Sequence, residues 1–190
     1  MPTYFVTGAT GFIGRNLVEQ LLANREGQIH VLVREGSTER LEELIEGWGQ
    51  PERIVPVVGD LTEEKLGVSE EKIAELKGKV DHFFHLAAIY DMTADADANM
   101  KLNVGGTKNA VELANAIEAG TFHHVSSIAA AGMYKGLFRE DYFDEGQRLP
   151  SAYHRTKFES ERIARTQTTV PWRVPSTFEL TLVSSSAVMS

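Results

Sequence analysis

Residues 7–14 read Thr7-Gly8-Ala9-Thr10-Gly11-Phe12-Ile13-Gly14, directly after the apolar run Tyr4-Phe5-Val6 and ahead of an amphipathic pattern at Ile13, Leu17 and Leu21. The order is strand, glycine turn, helix. Gly8 lets the chain turn tightly off the strand, Gly11 lets backbone come close to a pyrophosphate, and Gly14 lets the helix lie against the sheet. The unpaired N–H groups at the helix start then face the phosphates. Surface turns also accumulate glycine, and what separates this stretch from them is the strand before it and the helix after it. Gly8, Ala9, Thr10, Gly11, Phe12, Ile13 and Gly14 are therefore candidate dinucleotide contacts. Arg15 is either a further contact, to a 2'-phosphate, or a solvated helix charge.

Working outward, Ile29 to Val33 predicts a second buried strand that ends at Arg34-Glu35-Gly36. A helix carrying Leu41, Leu44 and Ile45 follows, stopped by Trp48-Gly49 and Pro51. Ile54 to Val58 predicts the third strand. Its Pro56 cannot donate a ladder hydrogen bond and belongs on a sheet edge, which is the third strand's place in the order 3-2-1-4-5-6. After Gly59-Asp60-Leu61 come a polar helix around Ile73 and Leu76 and a strand from Asp81 to Leu86, with Ala87-Ala88 at its end. A long helix from about Ala94 to Glu118, stopped by Gly120, leads to a strand from Phe122 to Ser126. The loop from Ile128 to Pro150 is too long for a simple connection and reads as a lid, a binding loop or a disordered segment. Ser151 can cap a helix with Tyr153, Lys157 and Ile163. This alternation predicts an α/β fold, a Rossmann-type doubly wound parallel sheet with helices on both faces.

The chain of 190 residues suffices for one domain with a proper core. Residues 1–170 are read as that domain and 171–190 as an atypical tail. Lysines and arginines number 19 against 27 acids, a formal charge of -8, which leaves no electrostatic footprint for nucleic acid or anionic membrane and points to a small-molecule partner. With no cysteine, disulfides, thiolate metal sites and cysteine nucleophiles are excluded, and a reducing compartment is favoured. Neither a signal-peptide pattern nor an apolar run of membrane-spanning length is present, so the expected location is cytoplasmic. Of the histidines at 82, 85, 123, 124 and 154, His123 and His124 are neighbours in a strand and must face opposite ways, so no metal site is expected.

In an open parallel sheet the ligand lies beyond the carboxyl ends of the strands, near the switch in strand order. The glycine turn, Arg34, Asp60-Leu61, Ala87-Ala88 and Ser126-Ser127 all fall at such ends. A guanidinium at Arg34 suits a 2'-phosphate where an acid would suit a free ribose hydroxyl, so NADP(H) is expected over NAD(H), with Glu35 next door as the opposing sign. Asp60 is read as acceptor for the adenine amino group with Leu61 against the ring, or else as a helix cap. Tyr153 and Lys157 lie four apart on one helix face. A neighbouring ammonium stabilises a phenolate, so Tyr153 is the candidate general acid and base, with Lys157 lowering its pKa and holding the nicotinamide ribose. Ser127 can stabilise charge on the same substrate oxygen, while Ser126 is expected to point the other way. Asn103 either bonds across to the catalytic strand or tolerates a helix irregularity.

Taken together, these residues resemble the extended short-chain dehydrogenase/reductases over residues 3 to about 165. The motifs are TGATGFIG, Gly59-Asp60-Leu61, His85-Leu86-Ala87-Ala88, Asn103 with Gly106-Thr107, Val125-Ser126-Ser127 and Tyr153-x-x-x-Lys157. Leu32-Val33-Arg34, Leu66-Gly67-Val68-Ser69 and Phe122-His123-His124-Val125-Ser126 are similar to the branch of fatty acyl-CoA and thioester reductases. The resemblance implies reduction of an acyl thioester to an aldehyde with NADPH, Met133, Tyr134, Leu137 and Phe138 covering an acyl chain or another carbonyl substrate. It also implies a homodimer formed through the helices around Ala110 and Tyr153. A nucleotide-sugar epimerase or dehydratase, or a cofactor-binding module without turnover, are the competing readings. Val170 to Val174 begins as the sixth strand should, but Pro175 to Ser190 departs from the family and cannot replace its C-terminal substrate lobe, so a truncated or frame-shifted chain is expected.

Overall fold

The computed structural model describes residues 1–87, 100–139 and 141–174. Its strands β1 (Thr3–Thr7), β2 (Gln28–Val33), β3 (Ile54–Val58), β4 (His82–His85), β5 (Thr121–His124) and β6 (Trp172–Arg173) form one six-stranded sheet in the order β3-β2-β1-β4-β5-β6. Every pairing is parallel. The crossovers are made by α1 (Phe12–Asn24), α2 (Thr38–Trp48), α3 (Glu70–Leu76), α4 (Gly106–Ala116) and α5 (Ala152–Gln167). Pro56 does lie on an edge strand, opposite Val31.

Side-chain alternation along β1 builds two cores. Tyr4 and Val6 join Val18, Leu21 and Leu41 under α1 and α2, whereas Phe5 joins Ile73, Leu113 and Ile163 under the other three helices. Phe5, Phe83 and Phe122 form a row across β1, β4 and β5, with ring centroids 4.7 and 5.4 Å apart. The helix ends follow local chemistry. Gly49 takes φ 72° to stop α2, and the Ser69 and Ser151 hydroxyls accept the N–H groups of Lys72 and His154 to start α3 and α5.

Three expectations are corrected. The buried face of α1 runs through Gly14, Val18, Leu21 and Leu22, and Ile13 is turned outward because Gly14 is the residue pressed onto the turn. The long helix is not uniform over its described part. Met100–Gly105 is a π-helical turn, α4 ends at Ala116, and Glu118 with φ 52° makes the stop assigned to Gly120. Gly120 serves a close approach instead, since a Cβ there would meet the Asp81 carbonyl oxygen at 2.7 Å. Finally, β5 closes at His124 rather than Ser126. Ala88, the beginning of the long helix and residues 175–190 lie outside the described residues.

His123 and His124 do face opposite ways, the first stacking on Phe84 and the second on His85. His124 is buried with neither ring nitrogen hydrogen-bonded. A buried polar group without a partner costs about 1–3 kcal/mol. His124→Phe keeps the stack and removes that cost, so the variant should be about 1 kcal/mol more stable in urea unfolding at neutral pH.

Candidate active site

Beyond the carboxyl ends of the strands, the turn after β1 is locked by backbone. Gly11 N–H donates to the Gly8 carbonyl at 3.0 Å, and Arg15 N–H to the Gly11 carbonyl at 2.9 Å. Gly8 has φ 76°, and a Cβ there would lie 2.8 Å from the Ala87 nitrogen at the end of β4. A Cβ on Gly14 would lie 2.1 Å from the Gly8 carbonyl oxygen. Gly11 is the N-cap of α1 and offers no side chain to cap it, so the first N–H groups of the helix face out of the turn. This is a backbone cradle of the kind that takes an anionic group. Ala9 is buried in the core below it, and Phe12 is exposed above it.

The flanks of the cradle come from the neighbouring strand ends. Arg34, just after β2, is exposed, as is Glu35. Asp60, after β3, accepts the Thr62 N–H and hydroxyl, each at 2.7 Å, and thereby shapes its own turn. Leu61 packs on the core, and its carbonyl accepts the Asn109 amide at 2.9 Å. Arg15 is half-buried at the start of α1.

On the other side, α5 brings Tyr153 and Lys157 against the end of β5, both buried. Lys157 Nζ donates to the Val125 carbonyl at 3.1 Å. Burial pushes its ammonium down to about 8, with the Glu161 carboxylate pulling the other way. Ser127 caps the short 3-10 turn Ile128–Ala131, its Oγ accepting the Ala129 N–H at 3.2 Å. Ser126 donates instead to buried Glu161, whose other oxygen accepts from Arg165 Nε at 2.8 Å. Atoms of both serines line a cavity of ≈ 220 Å³ together with Phe138, Arg139 and Tyr142. Within the long loop, Phe138 lines the same cavity as the serines, while Met133 and Leu137 are exposed. Asn103, in the π-helical turn, donates from Nδ2 to Thr156 Oγ1 of α5 at 3.4 Å.

The male sterility protein family, a family of NAD-binding domains, matches residues 6–177. The chain belongs to this family. As a male sterility family member it is an extended short-chain dehydrogenase/reductase with relatives among fatty acyl-CoA and thioester reductases. A linear gramicidin synthase chain of Brevibacillus parabrevis is 35% identical over 172 residues, which cover 83% of this chain and 3% of that protein. Fatty acyl-CoA reductase 1 of Mus musculus is 33% identical over 153 residues, covering 68% of this chain and 30% of that protein. The terminal R domain from the myxalamid PKS-NRPS pathway superposes with a TM-score of 0.79 at 27% identity, over 93% of this chain and 49% of that one. The chain thus spans about half of that domain and less than a third of the two curated relatives. The family brings a nicotinamide cofactor with it.

Glu161 and Arg165 did not emerge from the sequence. The signal was available, since they follow Lys157 at successive steps of four along α5 and so share its face.

Proposed function

We propose that this chain is the cofactor-binding and catalytic half of an NADP(H)-dependent reductase acting on an acyl thioester or a related carbonyl compound. The observation that carries the reading is a buried lysine one helical turn after a buried tyrosine, anchored on the carbonyl of Val125, just past the end of β5 and two residues before Ser127. The cradle suits a dinucleotide, because a side chain at Gly8 or Gly14 would strike backbone and force the turn open, and the first turn of α1 carries no side-chain cap. Residues 8–15, Arg34, Asp60, Leu61, Ala87 and Asn103 would hold the cofactor, with Tyr153 and Lys157 at its nicotinamide end. Ala88 belongs to this proposal from the motif alone. When bound, the nicotinamide supplies a hydride.

Tyr153 holds the proton at its hydroxyl, and Ser127 donates to the substrate oxygen as it gains charge. The Lys157 ammonium favours the phenolate that forms. For a thioester, the carbonyl carbon is reduced, the carbon–sulfur bond breaks, and the thiolate leaves to take up a proton. The cavity beside both serines, walled by Phe138 and Tyr142, suits the apolar part of such a substrate. We read the protein as cytoplasmic and dimeric through α4 and α5; among the described residues, no helix is long and apolar enough to cross a membrane.

Calorimetry with NADPH and NADH should show preference for the phosphorylated cofactor by at least about tenfold, since a charge-assisted guanidinium–phosphate pair is worth about 1.5–3 kcal/mol. Oxidation of NADPH with a long-chain acyl-CoA, yielding aldehyde and free thiol, then checks the substrate class. Uptake without turnover on any carbonyl compound would favour a binding module. Conversion of a nucleotide sugar with no net cofactor oxidation would favour an epimerase or dehydratase.

A further inference from the structure

We propose that His85 is a positioning residue, the centre of a one-directional hydrogen-bond chain that ties the cofactor turn to the helix carrying Tyr153. The inference rests on the functional reading above and adds to it a residue that takes no part in the chemistry.

The direction of the chain follows from counting protons. Thr107 Oγ1 lies 2.6 Å from the Asn103 carbonyl oxygen, which can only accept, so the single hydroxyl proton of Thr107 is spent there. His85 Nε2 lies 3.2 Å from the same hydroxyl and must therefore be the donor. In a neutral ring, Nδ1 is then bare and accepts from Thr7 Oγ1 at 2.8 Å. Thr7 has spent its own proton in turn, and its oxygen faces the Ala87 N–H at 3.4 Å. Burial among β1, β4, β5 and α4, with the Lys157 ammonium nearby, keeps the ring neutral by pushing it down to about 3.

Both ends of the chain are functional ground. Thr7 immediately precedes Gly8, and Ala87 is the residue that a side chain at Gly8 would strike. At the far end, the Ser160 hydroxyl of α5 lies 2.6 Å from the Asn103 carbonyl oxygen and 2.7 Å from that of Thr156, and shares its one proton between them. Asn103 Nδ2 donates to Thr156, whose hydroxyl donates to the Tyr153 carbonyl at 3.1 Å. Asn103 itself lies in the π-helical turn Met100–Gly105. A shift of the turn when the cofactor seats is thus carried, through fully directed bonds, to the backbone of Tyr153.

The test uses the full chain uniformly labelled with 15N. At neutral pH the His85 ring is expected as the neutral tautomer protonated on Nε2. Thr107→Val keeps the shape and removes the hydroxyl. It should lower kcat about tenfold with KM changed less than about twofold, because misplacing a reacting group mainly raises the barrier. Thr107→Ser should restore kcat. Adding NADPH to the parent protein should shift the amide resonances of Thr156 and Ser160, and Thr107→Val should abolish most of that shift. A ring protonated on Nδ1, or a Thr107→Val variant with unchanged kcat and unchanged shifts, overturns the inference. If NADPH is taken up but no carbonyl compound is reduced, the helix shifts alone decide. No uptake of NADPH overturns the functional reading itself, and the inference with it, whatever the tautomer.

Discussion

Between about pH 7.5 and about pH 5, the protein should lose about 4 kcal/mol of stability through His85 and His123 alone. Both rings are held near 3 by burial, against an ordinary value of 6.5. The unfolded chain therefore binds protons that the folded chain refuses, and stability rises with pH. It is full above 6.5 and falls as pH drops from 6.5 toward about 3. Each such imidazole contributes about 2 kcal/mol of loss by about pH 5. His124 adds in the same direction, its pKa lying well below 6.5 because burial, Lys157 and His85 all oppose its charge. Against a total of about 5–15 kcal/mol, this removes a large share of the stability by about pH 5, above the range where carboxylates titrate. Urea midpoints across this range check the prediction. In His124→Phe the slope should flatten by about one proton, and a midpoint that does not move between the two pH values would contradict the titration of buried imidazoles.

The same histidines show why part of the molecule was legible and part was not. That His123 and His124 oppose one another across the sheet follows from strand alternation, as do the two cores and the edge position of Pro56. Cradle residues were legible because glycine at positions 8 and 14 answers local demands, a positive φ in one case and backbone contact in the other. The internal wiring was not. His85 looks like any strand-end residue until β1 and α4 bring Thr7 and Thr107 to its two nitrogens from 78 and 22 residues away. Likewise, Ser126 rather than Ser127 bonds Glu161, 35 residues on. Alternation says that neighbours diverge, but not which one meets the carboxylate.

Lys157→Met should separate function from stability most sharply. On the proposed mechanism, turnover should fall by at least about a thousandfold, since the ammonium would both stabilise the phenolate and touch the cofactor, and acid–base catalysis alone contributes about 10²–10⁴-fold. Tyr153→Phe should match it in turnover. The two variants part in the fold. With its pKa depressed from 10.5 to about 8, the buried ammonium costs about 3 kcal/mol at neutral pH, because the unfolded chain binds that proton more tightly. Methionine fills the same channel without charge, and the Val125 carbonyl that loses its donor returns about 1 kcal/mol of the gain. Lys157→Met should therefore unfold about 2 kcal/mol later than the parent at neutral pH, a rise in Tm of about 4–8 °C. In the parent, the lysine's share of stability is recovered as pH rises from about 8 to 10.5, while activity declines over the same interval as the ammonium discharges. Opposite slopes of activity and stability in that window are the signature of a charge held in the fold for chemistry. Parallel slopes would mean that Lys157 is an ordinary structural contact.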